Sequence, residues 1–457
     1  MISQDCPKMD LQTLLAECKS HPERRRIALY GHFGVGNLGN ECTLQVIIDQ
    51  IRRRWPDAEL LCFCTNPHDV RTRYHIEALP AAAVNTTEGL ESGGGLKRVI
   101  ARLLRIAFQR IPLELIHWTK ILCAVWRMDM LIVAGTGIVS DHGCGPLAWP
   151  YQIFKLSALA SLRRVRVAFL SVGVGPLRHP LSRWFIKKAL PLAYHRSYRD
   201  QASKQYLETI GFSTAGDSVG RDVAFSLVPG NVTRPVPARE RIVGLGLKDY
   251  GPLDQPDRTR SKAFREYLNT MATFVIWLQQ HGYGVRLLIG DIHYDTAVVE
   301  QFVRILSSRH IPATAPLLIA EPAQTVPELL RQIAETDVVI SSRYHNLVLG
   351  LVYNKPIIAL SDHPKLDSLA TDLGLARYLL PLATLRPDIL IERFKQLESD
   401  VDRLTVNIRA EVIRYRQVLD SLYATLLATD RIAGGVAEPS FDFNRVLDPP
   451  VPTDQVG

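Results

Sequence analysis

Short apolar runs that end in glycine or polar turns alternate with amphipathic stretches along the first half of the chain. Residues 26–30 and 59–64 form two such runs, and a glycine-rich loop and a helix-length segment ending at Pro56 lie between them. Apolar runs at 130–134 and 165–171 repeat the pattern. Strands that alternate with helices along a chain usually pair in parallel. This half therefore predicts a Rossmann-like α/β domain.

The second half of the chain repeats the same alternation. Apolar runs at 241–246, 284–290, 337–341 and 356–360 are separated by helical stretches. Between the halves, residues 229–241 hold three prolines and no clear period, which indicates a linker. The predicted segments, in chain order, are a helical extension at 1–24, an N-terminal domain at 25–232, a C-terminal domain at 240–385, helices at 386–430 and a disordered tail at 431–457. Ligands usually bind in the cleft between two such domains.

Composition and charge narrow the classes of protein. Hydrophobic residues make up 47%, enough for sizeable cores. A net charge of +8 fits either an ordinary arginine-rich enzyme or a protein with an anionic partner, such as a phosphorylated substrate or an acidic membrane surface. The chain has no nucleic-acid-binding motif, so nucleic acid is not expected as a partner. Seven scattered cysteines without a C-x-x-C pair fit a reducing cytoplasm. No signal peptide and no membrane span are predicted.

A basic insertion stands apart from the strand-helix pattern. Residues 96–127 mix leucine, isoleucine and tryptophan with seven lysines and arginines. One interpretation is a helical insertion that covers the sheet. The other is an amphipathic segment that rests peripherally on an anionic membrane, at its inner face.

The first candidate for chemistry is the glycine-rich loop at residues 31–39. It contains G-x-G-x-x-G at Gly34, Gly36 and Gly39, and Asn37 and Glu41 belong to the same segment. Glycines there let backbone N–H groups approach an anion at the start of a helix. The second strand ends without the acidic residue of a dinucleotide site, and no Lys-Ser/Thr follows the loop, so neither NAD nor a P-loop nucleotide is expected. An anionic or hydroxyl-rich ligand and a purely structural turn remain as alternatives.

Two further candidates lie in the first half of the chain. Asp141 comes after the run 130–134 and could accept a proton from a hydroxyl group, although it could instead cap the following helix. Arg199 could grip a carboxylate or a phosphate with two parallel hydrogen bonds. The alternative for Arg199 is an ion pair with Asp200 at a helix start.

The strongest candidate is the turn that holds Ser342, Arg343 and His345. A buried strand delivers these residues to a helix N-terminus, where free N–H groups, the helix dipole and a guanidinium converge on one anion. The same helix end disfavours a charged imidazole, whereas a bound dianion would favour it. His345 could therefore hold its proton mainly when substrate is bound, unless it is a histidine satisfied within the turn.

In order and spacing, these motifs resemble the polysaccharide pyruvyl transferase family. The resemblance is carried by the loop at 34–39, the Pro-Asp-Ala-Glu at 56–59, the Arg-Asp-x-x-Ser at 199–203 and the Ser-Arg-x-His with its following helix and strand at 342–360. Two positions depart from the family pattern. Asn40 stands where an aspartate is usual, and Thr136 interrupts a glycine triplet.

The resemblance implies a fold, a donor and a set of roles. The fold would be a glycosyltransferase-B-like double Rossmann fold, and the enzyme would move a pyruvyl group from phosphoenolpyruvate onto a sugar, or a lipid-linked oligosaccharide, to form a ketal. Arg199 and Arg343 would clamp the donor, His345 would be the acid and Asp141 a base. The remaining substrate-binding candidates are Gly36, Asn37, Gly39, Glu41 and Ser342. No cofactor and no metal are expected.

Two other functions remain open at the level of sequence. One is a nucleotide-sugar-dependent glycosyltransferase of the same fold, although no pair of glutamates seven residues apart follows the 342–345 turn. The other is a non-catalytic protein of polysaccharide assembly.

Overall fold

The computed structural model describes residues 24–83, 111–230, 241–250, 261–310 and 318–428. These residues form two parallel β-sheets, one in each half of the chain, with helices packed on them. The expected α/β class with two Rossmann-like units, of the glycosyltransferase-B type, is confirmed.

The N-terminal sheet has seven strands in the order β3-β2-β1-β4-β5-β6-β7. Its strands are β1 (Arg26–Tyr30), β2 (Glu59–Cys64), β3 (Glu77–Pro80), β4 (Met130–Val133), β5 (Arg166–Val172), β6 (His195–Tyr198) and β7 (Ser218–Val219). Its helices are α1 (Leu38–Arg54), α2 (Pro67–Tyr74), α3 (Ile111–Val125), α4 (Trp149–Leu162), α5 (Pro180–Ala189) and α6 (Gln201–Thr209). Strand β1 is buried on both faces, as expected of an inner parallel strand covered by helices.

The C-terminal sheet has six strands in the order β10-β9-β8-β11-β12-β13. Its strands are β8 (Ile242–Gly246), β9 (Gly284–Leu288), β10 (Leu318–Ile319), β11 (Val338–Ser341), β12 (Ile357–Ser361) and β13 (Leu379–Pro381). Its helices are α7 (Lys262–Gln280), α8 (Ile292–Ser308), α9 (Val326–Ala334), α10 (Tyr344–Val352) and α11 (Pro364–Asp372), and two more, α12 (Pro387–Ser399) and α13 (Val401–Leu426), follow β13. All pairings are parallel, so the carboxyl ends of the strands meet at one edge.

Helix α13 returns to the N-terminal unit. The Arg416 guanidinium donates to the carbonyls of Phe225 and Leu227, both at 3.0 Å. The ring of Phe225 packs edge-on against Tyr415, with 5.1 Å between centroids. Helix α13 is therefore attached to the first domain.

Several predicted segments lie partly or wholly outside the described residues. These are the extension at 1–24 apart from its last residue, the tail at 431–457, most of the linker, and the first part of the insertion at 96–127. The described part of that insertion is helix α3 and the short turn after it. None of the helices in the described ranges is long and apolar enough to cross a membrane. The domain boundaries stay predictions.

One boundary differs in a way that matters for the site. The sequence suggested a glycine-rich loop through Gly39, but α1 begins at Leu38. The reason is the cap: the side chain of Asn37 accepts a hydrogen bond from the Asn40 N–H at 3.1 Å. Gly39 therefore lies in the first turn of the helix.

Candidate functional site

The glycine loop of the first domain docks onto a turn of the second. The Leu38 N–H donates to the Gly290 carbonyl at 2.9 Å, and the Ile292 N–H donates to the Gly36 carbonyl at 2.9 Å. The Asn37 amide also donates to the Asp291 carboxylate at 3.3 Å. The loop thus has backbone partners across the domain boundary, which fixes where the two domains meet.

Buried Glu41 holds the glycine loop in shape. Gly34 and Gly36 have φ of +77° and +74°, a backbone region that favours glycine. One oxygen of Glu41 accepts the Gly34 N–H at 2.7 Å and the other accepts the Tyr74 hydroxyl at 2.9 Å. Burial raises the pKa of Glu41. Its contacts brace the loop, and its predicted role in substrate binding stays a prediction.

Gly39 brings the loop helix against His345. A Cβ atom on Gly39 would lie 1.9 Å from Nδ1 and 2.7 Å from Cβ of His345, so the imidazole occupies the space that any larger residue would need. The two segments that the sequence singled out independently, one in each domain, are therefore in contact.

The outer nitrogen of His345 faces a carboxylate. Nε2 lies 3.7 Å from Oδ2 of Asp222, and both atoms are buried without a hydrogen-bond partner. The other oxygen of Asp222 accepts the Ala224 N–H at 3.0 Å. Burial lowers the pKa of His345 to about 4, against the opposing effect of Asp222. The imidazole is therefore neutral at pH 7 in the free protein.

Arg199 converges on the same carboxylate. The side chain is 9% exposed and lies 3.6 Å from Asp222 and 3.4 Å from Asp200. Its guanidinium carbon lies 4.7 Å from the centre of the Tyr344 ring, a cation–π distance. Burial alone would lower the pKa of Arg199, but Tyr344 and the two carboxylates outweigh it and the net pKa is raised. The predicted ion pair with Asp200 exists, and it leaves Arg199 beside His345.

Arg343 braces the turn onto which the glycine loop docks. Its Nε donates to Asp295 at 2.9 Å, and a second guanidinium nitrogen contacts the same oxygen. The other oxygen of the buried Asp295 accepts the N–H groups of Gly290 and Asp291 at 2.7 and 2.9 Å. Burial raises the pKa of Asp295, while Arg343 and these N–H groups oppose it. The Arg343 side chain is 21% exposed, and part of its guanidinium group is bound to Asp295.

Ser342 and Asp141 have other surroundings. The Ser342 hydroxyl is buried, donates to the Gly246 carbonyl at 3.4 Å and lies 3.3 Å from the Tyr267 hydroxyl. Both oxygens of Asp141 accept backbone N–H groups, from Arg178 at 2.9 Å and from His179 at 2.8 Å. Burial alone would raise the pKa of Asp141, but these hydrogen bonds outweigh it and the net pKa is lowered. Asp141 thus secures a turn of its own domain, and its role as a base stays a prediction.

The structure adds charged residues that the sequence reasoning missed. A narrow cavity beside Arg199, Asp222 and Tyr344 is also lined by Lys365, and Lys248 follows strand β8 nearby. The positions of Lys365 and Lys248 could be predicted in part, because residues that follow parallel strands lie at the carboxyl edge of the sheet. No pattern in the sequence marks Asp222 or Asp295, since their roles depend on contacts between segments that are distant along the chain.

Comparison with known proteins agrees with this architecture. The family model described as polysaccharide pyruvyl transferase matches residues 37–364, which include the loop helix, Arg199 and the 342–345 turn. No curated relative matches the sequence.

Several solved structures have a similar fold. UDP-GlcNAc 2-epimerase from Neisseria meningitidis, bound to UDP-GlcNAc, superposes with a TM-score of 0.53 at 10% identity, covering 88% of this chain and 99% of that one. Anabaena HepE in complex with UDP-glucose gives 0.52 at 12% identity, with 88% and 99% covered. The lipopolysaccharide outer core galactosyltransferase WaaB gives 0.50 at 13% identity, with 89% and 100% covered. At such low identity the likeness concerns the fold alone.

Proposed function

Because the chain belongs to the polysaccharide pyruvyl transferase family, we propose that it transfers the pyruvyl group of phosphoenolpyruvate to a sugar and forms a cyclic ketal. The observation that carries this proposal is the convergence of Arg199 and His345, from separate segments, on the carboxylate of Asp222, at 3.6 and 3.7 Å. Buried polar atoms without partners are rare and call for an explanation, and a bound donor supplies one.

Donor recognition follows from charge. Phosphoenolpyruvate carries a carboxylate and a phosphate, and each is best held by guanidinium groups and by the free N–H groups of a helix start. Arg199 and the exposed part of Arg343 flank the start of helix α10. The glycine loop, through Gly36, Asn37 and Gly39, would close the site from the first domain.

The reaction needs one proton placed on carbon. His345 donates a proton to the methylene carbon of the donor, and a sugar hydroxyl oxygen forms a bond to the adjacent carbon and releases its own proton. A second hydroxyl oxygen then bonds to that carbon while the bond to the phosphate oxygen breaks, and the phosphate leaves with the second proton. The bound dianion raises the pKa of His345 from its low value in the free protein, which lets the imidazole carry a proton when the donor is present.

The base for the sugar hydroxyl has two candidates. Asp141 keeps this role as a prediction, although both of its oxygens already accept backbone hydrogen bonds. Asp222 has one buried oxygen without a hydrogen-bond partner, and that oxygen lies beside His345. The variants Asp141→Asn and Asp222→Asn distinguish the two candidates. Substitution of the residue that acts as the base should lower the turnover number strongly, whereas substitution of the other should lower mainly the stability of the fold.

We also propose a cytoplasmic location and a lipid-linked acceptor met at the inner face of a membrane. On helix α3, Leu115 and Ile116 are 61% and 52% exposed, and Trp126 just after it is 58% exposed. The only acid in residues 111–127 is Glu114, which is neutralised by Lys155 at 2.7 Å. An apolar surface without free acids suits an anionic bilayer.

The decisive experiment offers the protein a choice of donors. Labelled phosphoenolpyruvate and labelled nucleotide sugars are incubated with a panel of sugar acceptors, and products are identified by mass spectrometry together with phosphate release. A pyruvyl ketal that forms with stoichiometric phosphate supports the proposal. Transfer of a sugar instead, or no use of phosphoenolpyruvate with any acceptor, would reject it.

A further inference from the structure

The ring of Tyr415, on helix α13, contacts the chain on both sides of Asp222. The guanidinium carbon of Arg221, the residue before, lies 4.5 Å from the centre of the ring, a cation–π distance. Phe225, three residues after, packs edge-on against the same ring, with 5.1 Å between centroids. Tyr415 and Phe225 are both buried, so this contact belongs to the packed interior. One side chain of helix α13 thus holds two neighbours of the carboxylate.

A short 3-10 turn, Val223–Ser226, connects these contacts to Asp222. Asp222 caps the start of the turn: one of its carboxylate oxygens accepts an N–H of the turn at 3.0 Å, and its carbonyl accepts the Phe225 N–H at 3.0 Å. Arg416 holds the other end, because it donates to the carbonyls of Phe225 and Leu227. Since the turn is held at both ends, the position of Asp222 depends on that of helix α13.

The second oxygen of Asp222 has no hydrogen bond that would fix its distance from His345. It is buried without a hydrogen-bond partner among the described residues. It lies 3.7 Å from His345 and 3.6 Å from Arg199, and both distances are longer than a hydrogen bond. The backbone of the turn therefore sets these separations. They matter because Asp222 favours the charged form of His345, an effect that weakens as the two groups move apart.

We propose that Tyr415 is a positioning residue that holds Asp222 at its distance from His345, with Arg416 as a second support. The consequence for catalysis rests on the proposed function, in which His345 is the acid. In the part of the chain that the structure describes, the Tyr415 hydroxyl is buried without a hydrogen-bond partner, whereas its ring makes both contacts. The ring rather than the hydroxyl therefore performs this role.

The variants separate the ring from the hydroxyl and from packing in general. Tyr415→Phe removes only the unpartnered hydroxyl, and Tyr415→Leu removes the ring. Phe394→Leu is the matched control, because Phe394 is a buried aromatic residue of helix α12 whose ring packs on Phe274, Trp277 and Tyr283, all in the second domain. Both leucine variants remove a buried ring and should lose stability, so stability alone does not decide the question.

The first measurement needs no substrate. It is the NMR signal of the His345 imidazole at pH 7, assigned by its absence in His345→Gln. Tyr415→Leu should shift this signal, because the carboxylate moves relative to the ring, whereas Tyr415→Phe and Phe394→Leu should leave it in place. Arg416→Met should shift it too, with the exposed Arg409→Met on the same helix as control, and serves as the test if Tyr415→Leu does not fold.

The second measurement is turnover of phosphoenolpyruvate with a sugar acceptor at different pH values. The turnover number of Tyr415→Leu should fall about 10- to 100-fold, since a displacement of about 1 Å costs on the order of 100-fold in rate. The loss of activity with rising pH should begin at lower pH, because a more distant Asp222 raises the pKa of His345 less. Tyr415→Phe should restore both properties. The Michaelis constant for the donor should change little, because Arg199 keeps its partner Asp200.

The outcomes are distinguishable. An unshifted His345 signal in folded Tyr415→Leu and Arg416→Met would overturn the positioning role, and so would an equal shift in Phe394→Leu. If Tyr415→Phe lost as much turnover as Tyr415→Leu, the hydroxyl would be responsible and the assignment to the ring would be wrong. If the His345 signal shifts as expected but wild type never consumes phosphoenolpyruvate, the positioning role stands and the proposed reaction fails.

Discussion

The contact between Gly39 and His345 can be tested by adding a single methyl group. In Gly39→Ala the new Cβ would lie 1.9 Å from Nδ1, 2.2 Å from Cγ and 2.7 Å from Cβ of His345. The last of these atoms is next to the backbone, so rotation of the ring alone does not relieve the overlap. Either the start of helix α1 or the His345 turn must move by roughly 1 Å.

The expected stability change is small because two effects oppose each other. An extra methyl group in a packed interior costs about 1–3 kcal/mol. Alanine in place of glycine gains up to about 1 kcal/mol in a helix, and less in the first turn. The free energy of unfolding should therefore fall by about 1–2 kcal/mol, a shift of a few degrees in melting temperature.

The expected change in turnover is much larger. A displacement of about 1 Å between reacting groups costs on the order of 100-fold in rate. The assay measures urea unfolding and turnover with phosphoenolpyruvate on the same preparation. Gly137→Ala is the matched control, because a Cβ there meets nothing within 4 Å and its φ is not in the left-handed region. If Gly39→Ala matched Gly137→Ala in both measurements, the contact between the domains would not exist as described.

Three further variants probe neighbouring parts of the site. Arg343→Lys should weaken donor binding and lower the free energy of unfolding by about 1–3 kcal/mol, because one ammonium cannot replace two contacts to buried Asp295; unchanged donor affinity by titration would remove Arg343 from the site. His345→Gln should lower turnover by about two to four orders of magnitude, with His68→Gln on the surface as control, and near-normal turnover would move the acid role elsewhere. The same variant should lose less stability in acid than wild type does, because the unfolded chain binds a proton on His345 between about pH 6.5 and 4 that the folded chain does not. Trp126→Ser should reduce co-sedimentation with vesicles that contain anionic phosphatidylglycerol, and equal sedimentation of both proteins would exclude this surface.

The fold class could be predicted from the sequence because most of its strands and helices are indicated by patterns within short stretches of the chain. Most of the inner strands, such as β1, β4, β8 and β11, are short apolar runs that end in a turn, so the parallel sheets could be predicted. The 342–345 segment was found for the same reason, since it directly follows the predicted strand at 337–341. Arg199 directly follows β6, a strand that the sequence pattern did not predict. Their common environment could not be predicted, because it depends on Asp222, which follows the short edge strand β7 and has no motif of its own.

The roles of individual residues were harder to predict than their positions. The role of Glu41 in substrate binding stays a prediction, and its hydrogen bonds with Gly34 and Tyr74 were not predicted. Both partners lie in other elements, and neither contact follows from spacing along the chain. In the same way, the partner of Arg343 is Asp295, 48 residues away.

Because helix α13 packs against the first domain, that domain cannot complete its packing until the C-terminal part of the chain has been synthesised. Phe225 receives its partners Tyr415 and Arg416 from residues synthesised about 190 positions later, the Arg416 contact spanning 191. At ribosomal speeds of about 5–20 residues per second, that delay is roughly 10–40 s. During this interval the first domain lacks helix α13, and Phe225 lacks the Tyr415 ring that packs edge-on against it. The N-terminal domain therefore completes its packing only after the second domain has been synthesised.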